Sequence, residues 1–137
     1  MKACISVIIH GEVCIDRTKS ASSLSGDTIA KYLTEQLKPK AVFIGTNVDG
    51  VIDDNPTVNP NAKPIPIINN SNKSEILSLT GPSSSTDVTG GMTKKITVLL
   101  ELADLNVDIV MFDLLVAGRL TALFENNSVV RTRIQST

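Results

Sequence analysis

The chain has 137 residues, 42% of them hydrophobic, so it is long enough for one domain with a sizeable core. Its formal net charge is −1 and its basic residues are scattered, which argues against nucleic acid or a membrane surface as the main partner. Aromatic residues make up 3% of the chain and tryptophan is absent, so stacking platforms for single-stranded nucleic acid are not expected.

The first segment of the chain predicts a β-hairpin. Residues 3–9 are nearly all apolar and rich in β-branched side chains, which favours a strand buried on both faces. His10-Gly11-Glu12 is suited to a tight turn, and residues 13–16 then form the return strand. His10 is either a catalytic base or, as a lone histidine favours, a turn residue with a structural hydrogen bond.

The two cysteines, Cys4 and Cys14, lie in these apolar runs with a single histidine between them, which is not a zinc-binding pattern. They are predicted to be buried free thiols of a reducing compartment. The start of the chain lacks a small-residue cleavage pattern, and no apolar run approaches the roughly 20 residues that a membrane span needs. A cytoplasmic protein is therefore expected.

A polar, serine-rich stretch at 17–23 predicts a loop, and an amphipathic helix follows Ser25-Gly26-Asp27 and ends at Lys38-Pro39. Ser25 or Asp27 is the predicted N-cap of this helix. For Asp27 the alternative to capping is a carboxylate at a strand-to-helix switch, where it would orient a lysine or a metal-bound phosphate.

A second ligand-contact region is predicted after the apolar run 41–44, which is typical of a buried strand. The run ends in Gly45-Thr46-Asn47-Val48-Asp49-Gly50, and ligands of open α/β sheets bind beyond the carboxyl ends of strands. An ordinary turn is the alternative, since Asp49-Gly50 suits one. The nucleotide-contact candidates are Thr46, Asn47, Asp49 and Gly50.

The middle of the chain is predicted to hold little regular structure. Residues 53–66 contain four prolines and form a surface excursion. Residues 65–68 predict a short edge strand, because prolines are not tolerated inside a sheet. Residues 71–79 predict a short helix, and 80–86 a loop that leads into a glycine pair.

Gly90 and Gly91 allow a loop to approach a ligand with bare backbone, and a helix-patterned segment follows them. Lys94 and Lys95 then fall in the first turn, where cations oppose the helix dipole. A phosphate would remove this conflict, because the helix N–H groups, the dipole and both ammonium groups would all face negative charge. The segment predicts a phosphate-binding helix start; the alternative is a Gly-Gly loop with solvated lysines.

The rest of the chain alternates between helices and strands. The helix that carries Lys95 ends near Leu105-Asn106, and a buried strand at 107–113, a short helix at 118–124 and a last strand at 128–134 follow. This alternation predicts an α/β fold, with a mostly parallel sheet sandwiched by helices.

Four ordered motifs make the sequence resemble the amino acid kinase family over nearly its whole length, and within that family the isopentenyl phosphate kinases. His10-Gly11-Glu12, ahead of the first motif, is also similar. The four motifs are Ser25-Gly26-Asp27, Thr46-Asn47-Val48-Asp49-Gly50, Asp87-Val88-Thr89-Gly90-Gly91-Met92 with Lys95, and Gly118-Arg119-Leu120.

The resemblance implies an ATP-dependent phosphotransferase that makes isopentenyl diphosphate from isopentenyl phosphate, with lysines, amide N–H groups and Mg²⁺ as its tools. It implies that Asp27 organises catalytic lysines and that Lys95 and the glycine pair touch the ATP phosphates. The implied catalytic residues are Asp27 and Lys95, and no metal ligand is assigned. The implied nucleotide-binding residues are Thr46, Asn47, Asp49, Gly50, Gly90, Gly91 and Lys95.

The resemblance also implies that residues 1–137 form the nucleotide-binding, C-terminal half of the fold and that the N-terminal acceptor half is absent. Asn47 stands where the family usually has aspartate. The chain alone is expected to be inactive, and to need a partner chain carrying the other half, or a homodimer. The alternatives are a non-catalytic nucleotide-binding or regulatory module, and a truncated remnant. A nucleotide monophosphate or an amino acid is the alternative acceptor, because the acceptor is chosen mostly in the other half.

Overall fold

The computed structural model describes residues 6–54, 59–79 and 91–136. Within these ranges, none of the helices has both the length and the hydrophobicity that a membrane crossing requires. In chain order the elements are β1 (Glu12–Asp16), β2 (Ser20–Leu24), α1 (Gly26–Leu37), β3 (Ala41–Thr46), β4 (Ile67–Ile68), α2 (Lys73–Leu79), α3 (Gly91–Ala103), β5 (Asp108–Asp113), α4 (Arg119–Phe124) and β6 (Thr132–Ile134).

The main sheet has the strand order β3-β5-β6-β4. β3 and β5 are parallel, with Thr46 opposite Asp113, so both strands end at the same edge of the sheet. β4 pairs with β6 in parallel, whereas β5 and β6 are antiparallel. The predicted mostly parallel α/β sheet is therefore confirmed, with one antiparallel pair at its centre. β4 lies at an edge, as the prolines before it required.

Strand β5 is buried on both faces, which explains its uninterrupted apolar sequence. Ile109 and Met111 belong to the larger core, together with Leu99 of α3. Val110 and Phe112 point to the other face and pack with Leu123 of α4. Helix α3 therefore covers one face of the sheet and α4 the other, which is the predicted sandwich.

The N-terminal hairpin differs from the prediction. Its strands are β1 and β2, paired in antiparallel register with a turn at 17–19, so the predicted turn at 10–12 and the predicted loop at 17–23 were wrong. The Asp16 carboxylate fixes the turn by accepting hydrogen bonds from the Thr18 backbone N–H at 2.7 Å and the Lys19 N–H at 3.1 Å. These bonds and one from the Thr18 hydroxyl hold the pKa of Asp16 below its usual value.

The apolar side chains of this region are exposed, although the sequence predicted a strand buried on both faces. Residues 6–11 form no strand, and Ile8 is 91% exposed; Ile15 on β1 is 92% exposed. Cys14 is an exposed free thiol, so the predicted burial of the cysteines is wrong at this position. Cys4 lies outside the described residues.

The two long helices, α1 and α3, begin close to the residues that the sequence predicted for the site. Ser25 is the N-cap of α1 and accepts a hydrogen bond from the Thr28 N–H at 3.2 Å, which leaves the Asp27 carboxylate free for another role. Lys38 ends α1 in the left-handed conformation, directly before Pro39. Helix α3 begins at Gly91, so Lys95 lies near its N-terminus, as predicted.

Candidate functional site

The N-termini of α1 and α3 lie side by side. The two helices pack together and are joined by two ion pairs, Asp27 with Lys95 near their starts and Lys31 with Glu101 further along both. The helices therefore run in the same direction. Because α3 precedes β5 through a short turn and packs on it, its start lies toward the edge where β5 and β3 end.

The Asp27–Lys95 pair is the first feature of the site. The Lys95 ammonium donates to Asp27 Oδ1 at 2.8 Å and to Oδ2 at 2.9 Å. A lysine ammonium has three N–H donors, so one remains after Asp27 has taken two. The side chains of Lys95 and Asp27 are 27% and 21% exposed, so the pair is only partly buried. The Asp27 carboxylate thus orients the Lys95 ammonium beside the start of α3 and partly offsets its charge.

The structure brings together only part of the predicted phosphate cradle. Lys94 is exposed and Gly91 is the first residue of α3. Gly90 and the segment Asp87-Val88-Thr89 lie outside the described residues, so their contact with a phosphate stays a prediction.

The second feature is the loop of residues 46–50, which follows β3 and which we call the nucleotide loop. The Thr46 hydroxyl accepts a hydrogen bond from the Val48 N–H at 3.1 Å and donates to the Val48 carbonyl at 2.8 Å. The Thr46 carbonyl accepts from the Leu114 N–H at 2.9 Å. Thr46 therefore shapes the loop, whereas the side chain of Asn47 is exposed and free to meet a ligand.

Asp49 and Gly50 both have structural partners that the sequence did not predict. The Asp49 carboxylate accepts a hydrogen bond from the guanidinium of Arg119, the first residue of α4. Gly50 has φ +129°, and a Cβ there would lie 2.3 Å from Oγ1 of Thr132 on β6. That hydroxyl accepts from the Val51 N–H at 2.8 Å and donates to the Ile65 carbonyl at 2.7 Å.

Sequence reasoning missed the structural role of Thr132, because this residue lies between Arg131 and Arg133 and no local pattern marks it as buried. Its side chain is completely buried, and both hydrogen-bonding functions of its hydroxyl are used. His10 is exposed, with Nδ1 2.9 Å from the Gly11 carbonyl oxygen and 3.3 Å from Glu12, which fits the structural interpretation of this residue.

Two features of the site lie toward one edge of the sheet. One is the Lys95 ammonium, which Asp27 holds near the start of α3, and the other is the nucleotide loop with the exposed side chain of Asn47. Groups of this kind suit phosphoryl transfer, because catalysis of that reaction depends mostly on positioning and charge neutralisation. Within the described ranges there is no group of three or more histidine, cysteine or acidic side chains that could hold a metal ion.

Comparison with known proteins gives consistent results. Residues 1–113 match the model of the amino acid kinase family. The chain is 35% identical over 129 residues to isopentenyl phosphate kinase of Methanothermobacter thermautotrophicus, covering 93% of this chain and 47% of the relative. It is 40% identical over 92 residues to isopentenyl phosphate kinase of Methanocaldococcus jannaschii, covering 67% of this chain and 33% of the relative.

A solved structure of an isopentenyl phosphate kinase superposes with a TM-score of 0.66 at 31% identity, over 91% of this chain and 44% of that one. At best, the chain spans about half the length of the relatives it matches. The family match and the mostly parallel sandwich agree with each other. This chain belongs to the amino acid kinase family.

Proposed function

We propose that this chain supplies the ATP site of a phosphotransferase that acts on isopentenyl phosphate. The observation that carries the proposal is the Asp27–Lys95 pair, in which the carboxylate holds an ammonium group beside the start of α3. The similarity to isopentenyl phosphate kinases supports the choice of acceptor.

In the proposed reaction, a phosphate oxygen of the acceptor attacks the γ-phosphorus of ATP. The bond between that phosphorus and the bridging oxygen breaks, and ADP leaves with the electron pair. Lys95 would neutralise negative charge on the phosphates, and the positive end of the α3 dipole would add to this stabilisation. Asp27 would hold Lys95 in place without touching ATP. Mg²⁺, when bound, neutralises further charge on the β- and γ-phosphates.

The acceptor half of the fold is part of the proposal. The relatives are about twice as long as this chain, so a kinase of this family has roughly as much structure again. Two surfaces are suited to pack against it: β3, which lies at an edge of the sheet, and the hairpin of β1 and β2. An isolated two-stranded hairpin is marginally stable in water, so an exposed apolar one favours a packing partner.

The test is a coupled ATP assay with isopentenyl phosphate, run with this chain alone and with the portion of the M. thermautotrophicus relative that it does not match. We expect no turnover from the chain alone and measurable turnover from the folded, complemented pair. Parallel reactions offer a nucleotide monophosphate or glutamate as acceptor. Preference for either of these would overturn the acceptor, and absence of turnover with every acceptor would overturn the enzyme.

If calorimetry detects ATP binding but the complemented pair remains inactive, the chain is a non-catalytic nucleotide-binding module. A chain that neither binds ATP nor associates with the other half would instead be a remnant without either role.

The hairpin surface gives a separate prediction. Ile15→Asp should leave the stability of the chain alone within about 0.5 kcal/mol, because the side chain is already exposed. It should weaken association with the acceptor half at least about tenfold, since a charge would enter an apolar interface. Analytical ultracentrifugation of the mixed halves measures this.

Leu115→Asp is the matched control, because Leu115 is also largely exposed but lies in the turn after β5. Equal association of the Ile15→Asp variant and the unaltered chain would remove the hairpin from the interface.

A further inference from the structure

Two loops meet at the edge of the sheet where β3 and β5 end. The nucleotide loop follows β3, and residues 114–118 follow β5. The two segments are connected at two points: the Leu114 N–H donates to the Thr46 carbonyl at 2.9 Å, and Arg119, which directly follows residues 114–118, donates to the Asp49 carboxylate. The second contact joins residues 70 positions apart in the sequence.

The position of Arg119 is unfavourable for its own helix. It is the first residue of α4, where a cation opposes the helix dipole. The N-cap residue, Gly118, has no side chain that could cap the helix. The Arg119 side chain is nevertheless only 17% exposed, so the guanidinium has given up most of its contact with water. Among the described contacts of the Arg119 side chain, the favourable one is the ion pair with Asp49. Arg119 therefore contributes to the nucleotide loop and not to the stability of α4.

In the described part of the chain, hydrogen bonds hold the nucleotide loop on either side of Asp49. Thr46 fixes the first end through Val48 and Leu114, and Val51 fixes the other end through its bond to the Thr132 hydroxyl. Asp49 lies between these two anchors, and its described side-chain partner is Arg119. The ion pair therefore controls how much freedom the middle of the loop retains.

We propose that Arg119 is a positioning residue that sets affinity for ATP by holding the nucleotide loop through Asp49. This rests on the proposed function, in which that loop contacts the nucleotide. A loop that is already ordered does not lose conformational entropy when ligand binds, so ordering it in advance raises affinity. The pair also neutralises Asp49, whose free carboxylate would repel the ATP phosphates. Arg119 itself does not touch ATP.

The test uses the chain as it exists, with two measurements on each variant: amide hydrogen exchange at residues 48–50 without nucleotide, and calorimetric titration with ATP. Arg119→Gln should accelerate exchange at these amides and weaken ATP binding about tenfold. Asp49→Asn should do the same, and the double variant should be no worse than either alone, because both break one interaction. Arg119→Lys should recover part of the loss, since it retains the charge but not the planar fork.

Arg133→Gln is the matched control. It removes another arginine–aspartate pair, with Asp108 at 2.8 Å, between the neighbouring strands β6 and β5 and outside the nucleotide loop. It should change neither measurement. The Val51 amide is an internal control, because its bond to Thr132 is retained in every variant.

Unchanged exchange at residues 48–50 in Arg119→Gln would overturn the proposal, and so would faster exchange with unchanged ATP affinity. A lower melting temperature of Arg119→Gln with unchanged ATP affinity would show that Arg119 only stabilises the fold, and would also overturn the proposal. Absence of ATP binding by the unaltered chain would overturn the proposed function, and with it the role in affinity. The exchange measurement would still decide whether Arg119 orders the loop.

Discussion

Replacing Lys95 by alanine is expected to weaken ATP binding about 10- to 100-fold, the range for one charge-assisted hydrogen bond of about 1.5–3 kcal/mol. Asp27 holds the Lys95 ammonium at 2.8 and 2.9 Å, so this charge is already in place before ATP arrives. In the complemented kinase, kcat should fall by about 100-fold or more, because charge on the transferred phosphoryl group would be less well stabilised. Calorimetry and steady-state kinetics measure the two effects.

Lys94 supplies the matched control for this prediction. It is the neighbouring lysine near the start of α3, but it is exposed. Lys94→Ala therefore removes the same formal charge without removing the held ammonium group. We expect it to change ATP affinity less than about threefold, with the effect fading at high salt because exposed charges are screened. Equal losses in the two variants would mean that general charge, and not position, attracts the nucleotide.

Asp27→Asn tests the positioning step separately. The variant retains Lys95 but weakens its anchor, so ATP affinity should fall by less than in Lys95→Ala. In the complemented kinase, kcat should fall by more than affinity does, because the transition state depends on exact placement of the charge. A variant with both parameters unchanged would show that Asp27 is not needed to orient Lys95.

Replacing Gly50 by alanine is the second large effect, and it concerns stability. We expect the free energy of unfolding to fall by about 3 kcal/mol, from backbone strain and overpacking together. The φ of +129° is rarely adopted by residues with a side chain, and the added Cβ would lie 2.3 Å from Thr132 Oγ1 and 2.9 Å from the Thr132 backbone nitrogen. Neither Thr132 atom can retreat easily, because the hydroxyl is held by Val51 and Ile65.

Gly118→Ala separates the two causes of this loss. Gly118 also has a positive φ, +82°, but no atom lies within 4 Å of the position that a Cβ would take. This variant should suffer backbone strain alone, with a loss of about 1 kcal/mol. Urea denaturation of both variants gives the comparison, and a Gly50→Ala loss no larger than that of Gly118→Ala would refute the predicted clash.

Local sequence patterns predicted the strands of the main sheet, and the helices that pack on it, well. The apolar run at 107–113 is β5, buried on both faces, and the helix after the glycine pair is α3, with Lys95 near its start. These predictions succeeded because periodicity and burial along one element are properties of neighbouring residues. The capping of α1 was left open between two residues, and the extended backbone of Ser25 decided it.

The N-terminal hairpin was predicted less well, for a physical reason. Its second strand, β2, is mostly serine and alanine, so no apolar pattern marks it, and only its pairing with β1 makes it a strand. The burial predicted for Cys14 was wrong because burial depends on what packs against a strand. Sequence alone describes the strand and not its neighbour.

The sequence by itself determined the fold class, the family and the order of the motifs that carry the chemistry, because each of these depends on residues close together in the chain. Only the tertiary structure decided what those residues contact. Asp27 meets Lys95 across 68 positions, Asp49 meets Arg119 across 70, and Val51 meets Thr132 across 81. Such contacts arise when helices and strands pack, so the structural partners of Asp27, Asp49 and Gly50 followed from packing and not from spacing.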